Sequence, residues 1–299
     1  MTKILIFGGS GMLGHKLIQK WRDRFDVFST VRSDFERIEK YGIFDRSKII
    51  PNVEIENDVK VKDVIEIVKP NIIVNAVGII KQVATSKDVI KTLTVNSIFP
   101  HKLAEFAKGW NTRLITISTD CVFRGDRGNY TEDDISDAVD LYGKSKYLGE
   151  VSAENCLTLR TSIIGRELSS AHSLVEWFLS NRGKKVSGYI NAIYSGFPTV
   201  IFADIIADLI ENHAALQGVY QVSSEPINKY ELLKLINENY GAEIEIEPFE
   251  DFKLDRSLDS TRFRKETGFE PKSWTEMIEA MAADPTPYDE WKNKSNSTN

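Results

Sequence analysis

Cysteine and histidine are scarce in this 299-residue chain, which has two of the first and four of the second. Cys121 and Cys156 cannot build a disulfide framework, and His15, His101, His172 and His213 show no zinc-ligand spacing, so no metal is expected. Positive charge is not in excess either. The formal net charge is −6, which argues against a generic nucleic-acid binder, because such proteins carry a basic face. No apolar run is long enough to span a bilayer. The N-terminus lacks the charged segment and apolar stretch of a secretory signal. Neither nucleic acid nor membrane is therefore expected as a partner, and a reducing cytoplasm is the simplest compartment. The remaining composition is that of an ordinary globular protein, long enough for one large or two modest domains.

What the chain does have is an alternation of apolar strands and amphipathic helices. Residues 3–7 read as a buried strand, and Leu13, Leu17, Ile18 and Trp21 as one face of a helix. Further strands are expected at Asp26–Val31, Val53–Ile55, Ile72–Val77, Leu114–Ser118 and Leu157–Thr161. Helices are expected at Asp63–Val68, around Ser97–Lys108, and around Leu141–Glu154. Continuous apolar strands alternating with helices imply an α/β fold, a doubly wound parallel sheet covered on both faces. After about Thr161 the rhythm changes. Ser173–Ser180 and Val200–Asn212 look helical, Val186–Tyr194 extended, and Val219–Val222 and Glu243–Glu247 like strands. Asn228 is placed to cap a helix running from Lys229 to about Tyr240. No linker separates two domains, so a smaller α+β lobe over 163–292 is expected to be woven onto a first domain over 1–162. A stretch of about 195–224 would return to that first domain, and 293–299 would form a disordered tail.

Two motifs carry the chemistry. Gly8-x-x-Gly11-x-x-Gly14 lies between the first strand and the first helix. Such glycines permit a tight turn, close approach of backbone to a pyrophosphate, and close helix–strand packing, with the anion at the helix N-terminus. Ser10, Met12 and Leu13 lie in the same loop. Arg32, at the end of the second strand, favours the 2′-phosphate of NADPH, whereas Asp34 keeps NADH open. Asp58 and Val59 follow the third strand, where a carboxylate can meet an adenine amino group; a helix cap is the alternative. Asn75, Ala76, Val77 and Gly78 end the fourth strand, where small residues let the backbone approach a cofactor.

The second motif is Tyr142-x-x-x-Lys146, whose spacing projects both side chains from one helix face. A free tyrosine has a pKa near ~10 and is a poor acid or base at neutral pH. A nearby lysine cation and an oxidised nicotinamide stabilise its phenolate. Thr119, after Ser118 at the end of the fifth strand, can offer a hydroxyl to the same substrate oxygen.

These motifs, with Ser118-Thr119-Asp120-Cys121-Val122-Phe123, Leu159-Arg160-Thr161-Ser162 and Leu258-Asp259-Ser260-Thr261-Arg262, resemble the extended short-chain dehydrogenase/reductases over nearly the whole chain. Within them the chain looks most like the nucleotide-sugar 4-reductases of the dTDP-4-dehydrorhamnose type. The resemblance implies a Rossmann-type domain, a C-terminal substrate lobe, and NAD(P)H-dependent reduction of the C4 ketone of a nucleotide-linked 4-keto-6-deoxyhexose. It implies Thr119, Tyr142 and Lys146 as the catalytic trio, with Ser118 and Thr161 beside the cofactor and Asp120 beside the substrate. It also implies that a homodimer through paired helices is open.

One departure matters. The rhamnose reductases usually carry Tyr at the position of Cys121, whereas the related GDP-fucose synthase carries Cys there and uses a histidine where this chain has His172. A 4-ketone acidifies its neighbouring C–H bonds, so Cys121 and His172 define an alternative, an epimerase/reductase. The other alternative is a regulatory subunit that binds NADP without turnover, like the beta subunit of methionine adenosyltransferase. In the second lobe, Tyr189, Asn191, Tyr194 and Ser195 form a polar-aromatic cluster suited to a sugar or base. Arg256, among Lys253, Arg262 and Arg264, is placed to meet a diphosphate; a solvated basic face is the plain reading.

Overall fold

The first strand, β1 (Lys3–Phe7), is buried on both sides. Its alternate residues Leu5 and Phe7 join one core cluster with Val61, Val64, Ile65, Phe99 and Leu103. Ile4 and Ile6 then point to the opposite sheet face. This explains an apolar run with no polar alternation. The computed structural model describes residues 1–296. After β1 come α1 (Met12–Trp21), β2 (Asp26–Thr30), α2 (Glu36–Glu39), β3 (Ile49–Ile50), α3 (Asp58–Val68), β4 (Ile72–Asn75), α4 (Val89–Leu93), α5 (Phe99–Gly109), β5 (Arg113–Ile117), α6 (Leu141–Leu148) and β6 (Cys156–Arg160). The chain continues through β7 (Ile163–Ile164), α7 (Leu174–Leu179), β8 (Lys185–Tyr189), β9 (Ala192–Tyr194), β10 (Phe197–Pro198), α8 (Thr199–Asn212) and β11 (Gly218–Gln221). Last come β12 (Ile227–Asn228), α9 (Lys229–Tyr240), β13 (Glu245–Phe249), β14 (Leu254–Asp255), α10 (Thr261–Thr267), α11 (Trp274–Ala282) and α12 (Tyr288–Asn296).

Seven strands form one sheet in the order β11-β6-β5-β4-β1-β2-β3. The pairs from β6 to β3 are all parallel. Strand order reverses its progress between β1 and β4. In open sheets of this kind ligands lie beyond the carboxyl ends of the strands at such a point. The chain divides into two units. The first is Met1–Ser118, Val139–Leu159 and Ala203–Val219; the second is Thr119–Ala138, Arg160–Phe202 and Tyr220 onward. Residues 119–138 thus join the second unit rather than the first, and the returning segment is shorter than the expected 195–224. Arg113 fastens that segment. Its guanidinium donates to the carbonyls of Leu209, His213 and Leu216, each at 3.0 Å.

In the second unit, β9 lies between β12 and β14, and β8 pairs in parallel with β13. A buried ion pair joins Arg166 to Glu176 of α7 at 2.7 Å. Arg166 also bonds Asp289 of α12 and lies over the rings of Tyr240 and Tyr288, 5.6 and 5.0 Å from their centroids.

Several expectations need correction. The third strand is Ile49–Ile50, not Val53–Ile55, because Ser29 and Thr30 of β2 find their partners there. The extended stretch 186–194 is two strands that pair with different neighbours. The helix expected to reach Glu154 stops at Leu148, where Gly149 packs on the Asn96 carbonyl so closely that a Cβ would come within 1.9 Å of it. The helix expected near Ser97 begins at Val89 and passes through a π-helical turn, Thr94–Ile98. Pro100 follows and has no N–H to offer the Asn96 carbonyl four residues earlier. In the tail, α12 extends through Asn296, where disorder was expected from Asn293, and 297–299 lie outside the described residues.

Candidate active site

The glycine loop has the geometry its spacing requires. Gly8 takes φ +93°, a left-handed conformation that disfavours side chains. Gly11 donates its N–H to the Gly8 carbonyl at 3.0 Å. A Cβ on Gly14 would stand 2.1 Å from that same carbonyl oxygen. Only glycine therefore lets α1 start this close to β1. Gly11 caps α1 without a side chain, and no acid occupies the first turn. The N–H groups there, beside exposed Ser10, are not capped by a side chain. Leu13 is buried in the core, so only its backbone can meet a ligand, whereas Met12 is half-buried.

Around this loop the first unit arranges the other expected cofactor residues. Arg32 is exposed just after β2, and no ion pair holds it among the described residues. Asp34 is engaged: its carboxylate accepts from the Asn52 amide at 2.8 Å. Asp58 opens α3, but the helix is capped by Asn57, which accepts from Lys60 N–H. The Asp58 carboxylate takes two bonds from Lys102, both 2.8 Å. The neighbouring Val59 is 70 % exposed. Asn75 is buried at the end of β4. Its Oδ1 accepts from Val77 N–H at 3.2 Å, while its Nδ2 has no partner among the described residues. Ala76 is tied to β1 through the Phe7 carbonyl.

Tyr142 and Lys146 sit one turn apart on α6, whose N-cap Asp140 accepts from Gly143 N–H at 2.8 Å. Lys146 is 7 % exposed and its ammonium donates to the Ile117 carbonyl at 2.6 Å. Burial lowers its pKa to about 8, against the opposing pull of Glu150. Glu150 in turn accepts from Ser118 at 2.7 Å.

Sequence reasoning missed Asn96. From the π-helical turn its side chain grips both backbone groups of Ile79, accepting at 2.8 Å and donating at 3.0 Å, and donates to Ser145 of α6 at 3.1 Å. It thereby ties the loop after β4 to the helix that carries Tyr142 and Lys146. The available signal was a polar residue in an amphipathic stretch just before a helical proline, a place where π turns accumulate around functional sites.

The second unit holds the remaining candidates. Thr119 is buried; its hydroxyl donates to Asp120 at 3.1 Å and accepts from Cys121 N–H at 3.2 Å. Burial pushes the Asp120 carboxyl up, against the pull of Arg256. Asp120 N–H is bonded to the Thr161 carbonyl. The Arg256 guanidinium donates to the Phe123 carbonyl at 2.7 Å and reaches Cys121 Sγ at 3.7 Å. Tyr194 is buried, and burial followed by the Asp120 charge holds its phenol well above the ordinary value, which unfits it for proton transfer. Ser195 is a brace: its hydroxyl accepts from Leu258 N–H at 3.1 Å. Tyr189 is exposed against Phe249 and Phe252, and the Asn191 amide donates to the Glu250 carbonyl. His172 is exposed before α7. It does not cap that helix, because Glu167 accepts the N–H groups of both His172 and Ser173.

Among the described residues no group of acids, histidines and cysteines could hold a metal, and no helix is long and apolar enough to cross a membrane. The fold and these motifs have counterparts. A dTDP-4-dehydrorhamnose reductase of Aggregatibacter actinomycetemcomitans is 25% identical over 311 residues, covering 95% of this chain and 99% of that protein. The spore coat polysaccharide biosynthesis protein SpsK of Bacillus subtilis is 27% identical, with 93% and 96% covered. The crystal structure of dTDP-4-dehydrorhamnose reductase from Bacillus anthracis, in complex with NADP, superposes with a TM-score of 0.76 at 23% identity, covering 95% of this chain and 100% of that one. The RmlD substrate binding domain family matches residues 1–286, from the first strand through the last of these site residues, and the chain belongs to that family.

Proposed function

We propose that the protein reduces the C4 ketone of a nucleotide-linked 4-keto-6-deoxyhexose with NADPH, as a step toward a polysaccharide or glycan precursor. The observation that carries this reading is Lys146, buried and with its pKa lowered to about 8, one helical turn from Tyr142 in the same unit as the glycine loop. The tight turn at Gly8 and the close helix–strand contact at Gly14 fit a dinucleotide-binding loop, and Arg32 fits a 2′-phosphate. NADPH, when bound, supplies the hydride that reduces C4. Tyr142 gives its phenolic proton to the new C4 oxygen, so that ketone, hydride and proton balance to an alcohol. Lys146 stabilises the phenolate left behind. Thr119 orients the ketone by turning its single hydroxyl proton from Asp120 to the ketone oxygen. Arg256 serves the substrate's diphosphate.

Oxidation of NADPH followed against dTDP-, UDP- and GDP-linked 4-keto-6-deoxyhexoses tests the proposal. Turnover with one of them is expected and names the nucleotide. Bound NADPH with no turnover of any would overturn the reductase and leave a cofactor-binding subunit. Cofactor choice has its own test. Arg32→Ser removes the cation beside the proposed 2′-phosphate, a charge-assisted contact worth about 1.5–3 kcal/mol. The KM for NADPH is expected to rise roughly ten- to hundredfold, with NADH little affected. Equal loss for both cofactors would mean that Arg32 does not read the 2′ position.

A further inference from the structure

The loop between β4 and α4 reaches the start of α6 through one side chain. Lys81 donates to Asp140 Oδ2 at 2.6 Å, and its ammonium lies 5.6 Å from the centroid of the Tyr142 ring. Asp140 is meanwhile fixed by its own task, capping α6 through Gly143 N–H. Asn96 bolts the same loop to the middle of α6 through Ser145. The loop therefore has two attachments to the Tyr142 helix, and the first brings a cation within reach of the tyrosine's face.

We propose that Lys81 is a positioning residue for Tyr142: held by Asp140, its ammonium fixes the ring and favours the phenolate form. This role rests on Tyr142 being the proton donor proposed above. The charged groups on its own helix are the N-cap Asp140, exposed Lys144 and buried Lys146. The turn before α4, and α4 itself, also pack against α6 and carry Lys87, Asp88 and Lys91. Lys87 and Asp88 are exposed, and Asp88 is committed to capping α4 by accepting from Lys91 N–H. Lys81 is the residue of this loop whose charge meets the ring.

The test needs no substrate. Ultraviolet titration of phenolate absorbance, taken as the difference between the protein and its Tyr142→Phe variant, isolates one tyrosine of the ten. Lys81→Met is expected to raise the titration midpoint of Tyr142 by about half a pH unit or more, and Lys81→Arg to restore it. Asp140→Asn keeps an acceptor for the helix cap but leaves the Lys81 charge unbalanced, so the midpoint is expected to fall. Shifts of the same sign in Lys81→Met and Asp140→Asn, or no shift in either, would overturn the proposal. Because the readout is the phenol itself, opposite shifts without keto-sugar turnover would sink the reductase reading and leave the Lys81–Tyr142 coupling standing.

Discussion

Tyr142→Phe is expected to lower kcat for keto-sugar reduction by about 10²–10⁴-fold, the range for loss of a general acid, while NADPH binding stays within a few-fold. The ring remains, so its packing is kept; only the proton and its oxygen are gone. Lys146 gives the same step its pH dependence. Burial has lowered its pKa from 10.5 to about 8. Above that pH the ammonium is lost and the phenolate loses its support, so activity should decline above about pH 8. Stability moves the other way. The folded state releases the Lys146 proton near pH 8, while the unfolded chain holds it to about 10.5. The unfolded state binds more protons in that window, so the contribution of Lys146 to stability rises with pH there and is unfavourable below it. A kcat for Tyr142→Phe within a few-fold of the parent, in a rapid-quench or steady-state assay, would remove Tyr142 from the mechanism.

Arg166→Met is expected to destabilise the second unit by about 3–5 kcal/mol. Glu176 is 4 % exposed at its side chain, and the substitution leaves it without its guanidinium partner. Lys292 and the Glu167 N–H remain to it, which places the cost toward the lower end. The variant also loses the bond to Asp289 and the cation over the rings of Tyr240 and Tyr288. Urea unfolding followed by tryptophan fluorescence reads the loss, since Trp291 stacks edge-on against Tyr288 in α12. Replacing both Arg166 and Glu176 with methionine should cost less than Arg166→Met alone, because no uncompensated carboxylate is then buried. A double variant less stable than the single one would contradict this account.

The sheet was legible because its central strands carry apolar runs, Ile4–Phe7 and Ile72–Val74, and the glycine loop because the left-handed φ of Gly8 and the backbone against Gly14 disfavour a side chain. The placement of Tyr142 and Lys146 one turn apart on a single helix was legible from their spacing. The strand Ile49–Ile50 was hidden, being two residues whose strand character comes only from pairing with Ser29 and Thr30. The early start at Val89 was hidden by Pro100, which reads as a helix boundary until a π turn absorbs it. Asn96, Lys81 and the Cys121–Arg256 contact depend on partners 17, 59 and 135 residues away, separations that no local pattern records.

The chain passes between its two units at 118/119, 138/139, 159/160, 202/203 and 219/220. Thr119 and Tyr142 fall on opposite sides of that partition. No single cut yields either unit whole: a fragment ending at residue 162 lacks Ala203–Val219, whose carbonyls occupy Arg113. Recombination at one junction therefore cannot exchange the second unit for that of a relative. A chimera carrying a relative's second unit would require three grafts made together, over 119–138, 160–202 and from 220 onward. Within a lineage, the second unit is then expected to change by point substitution in these segments rather than by domain shuffling.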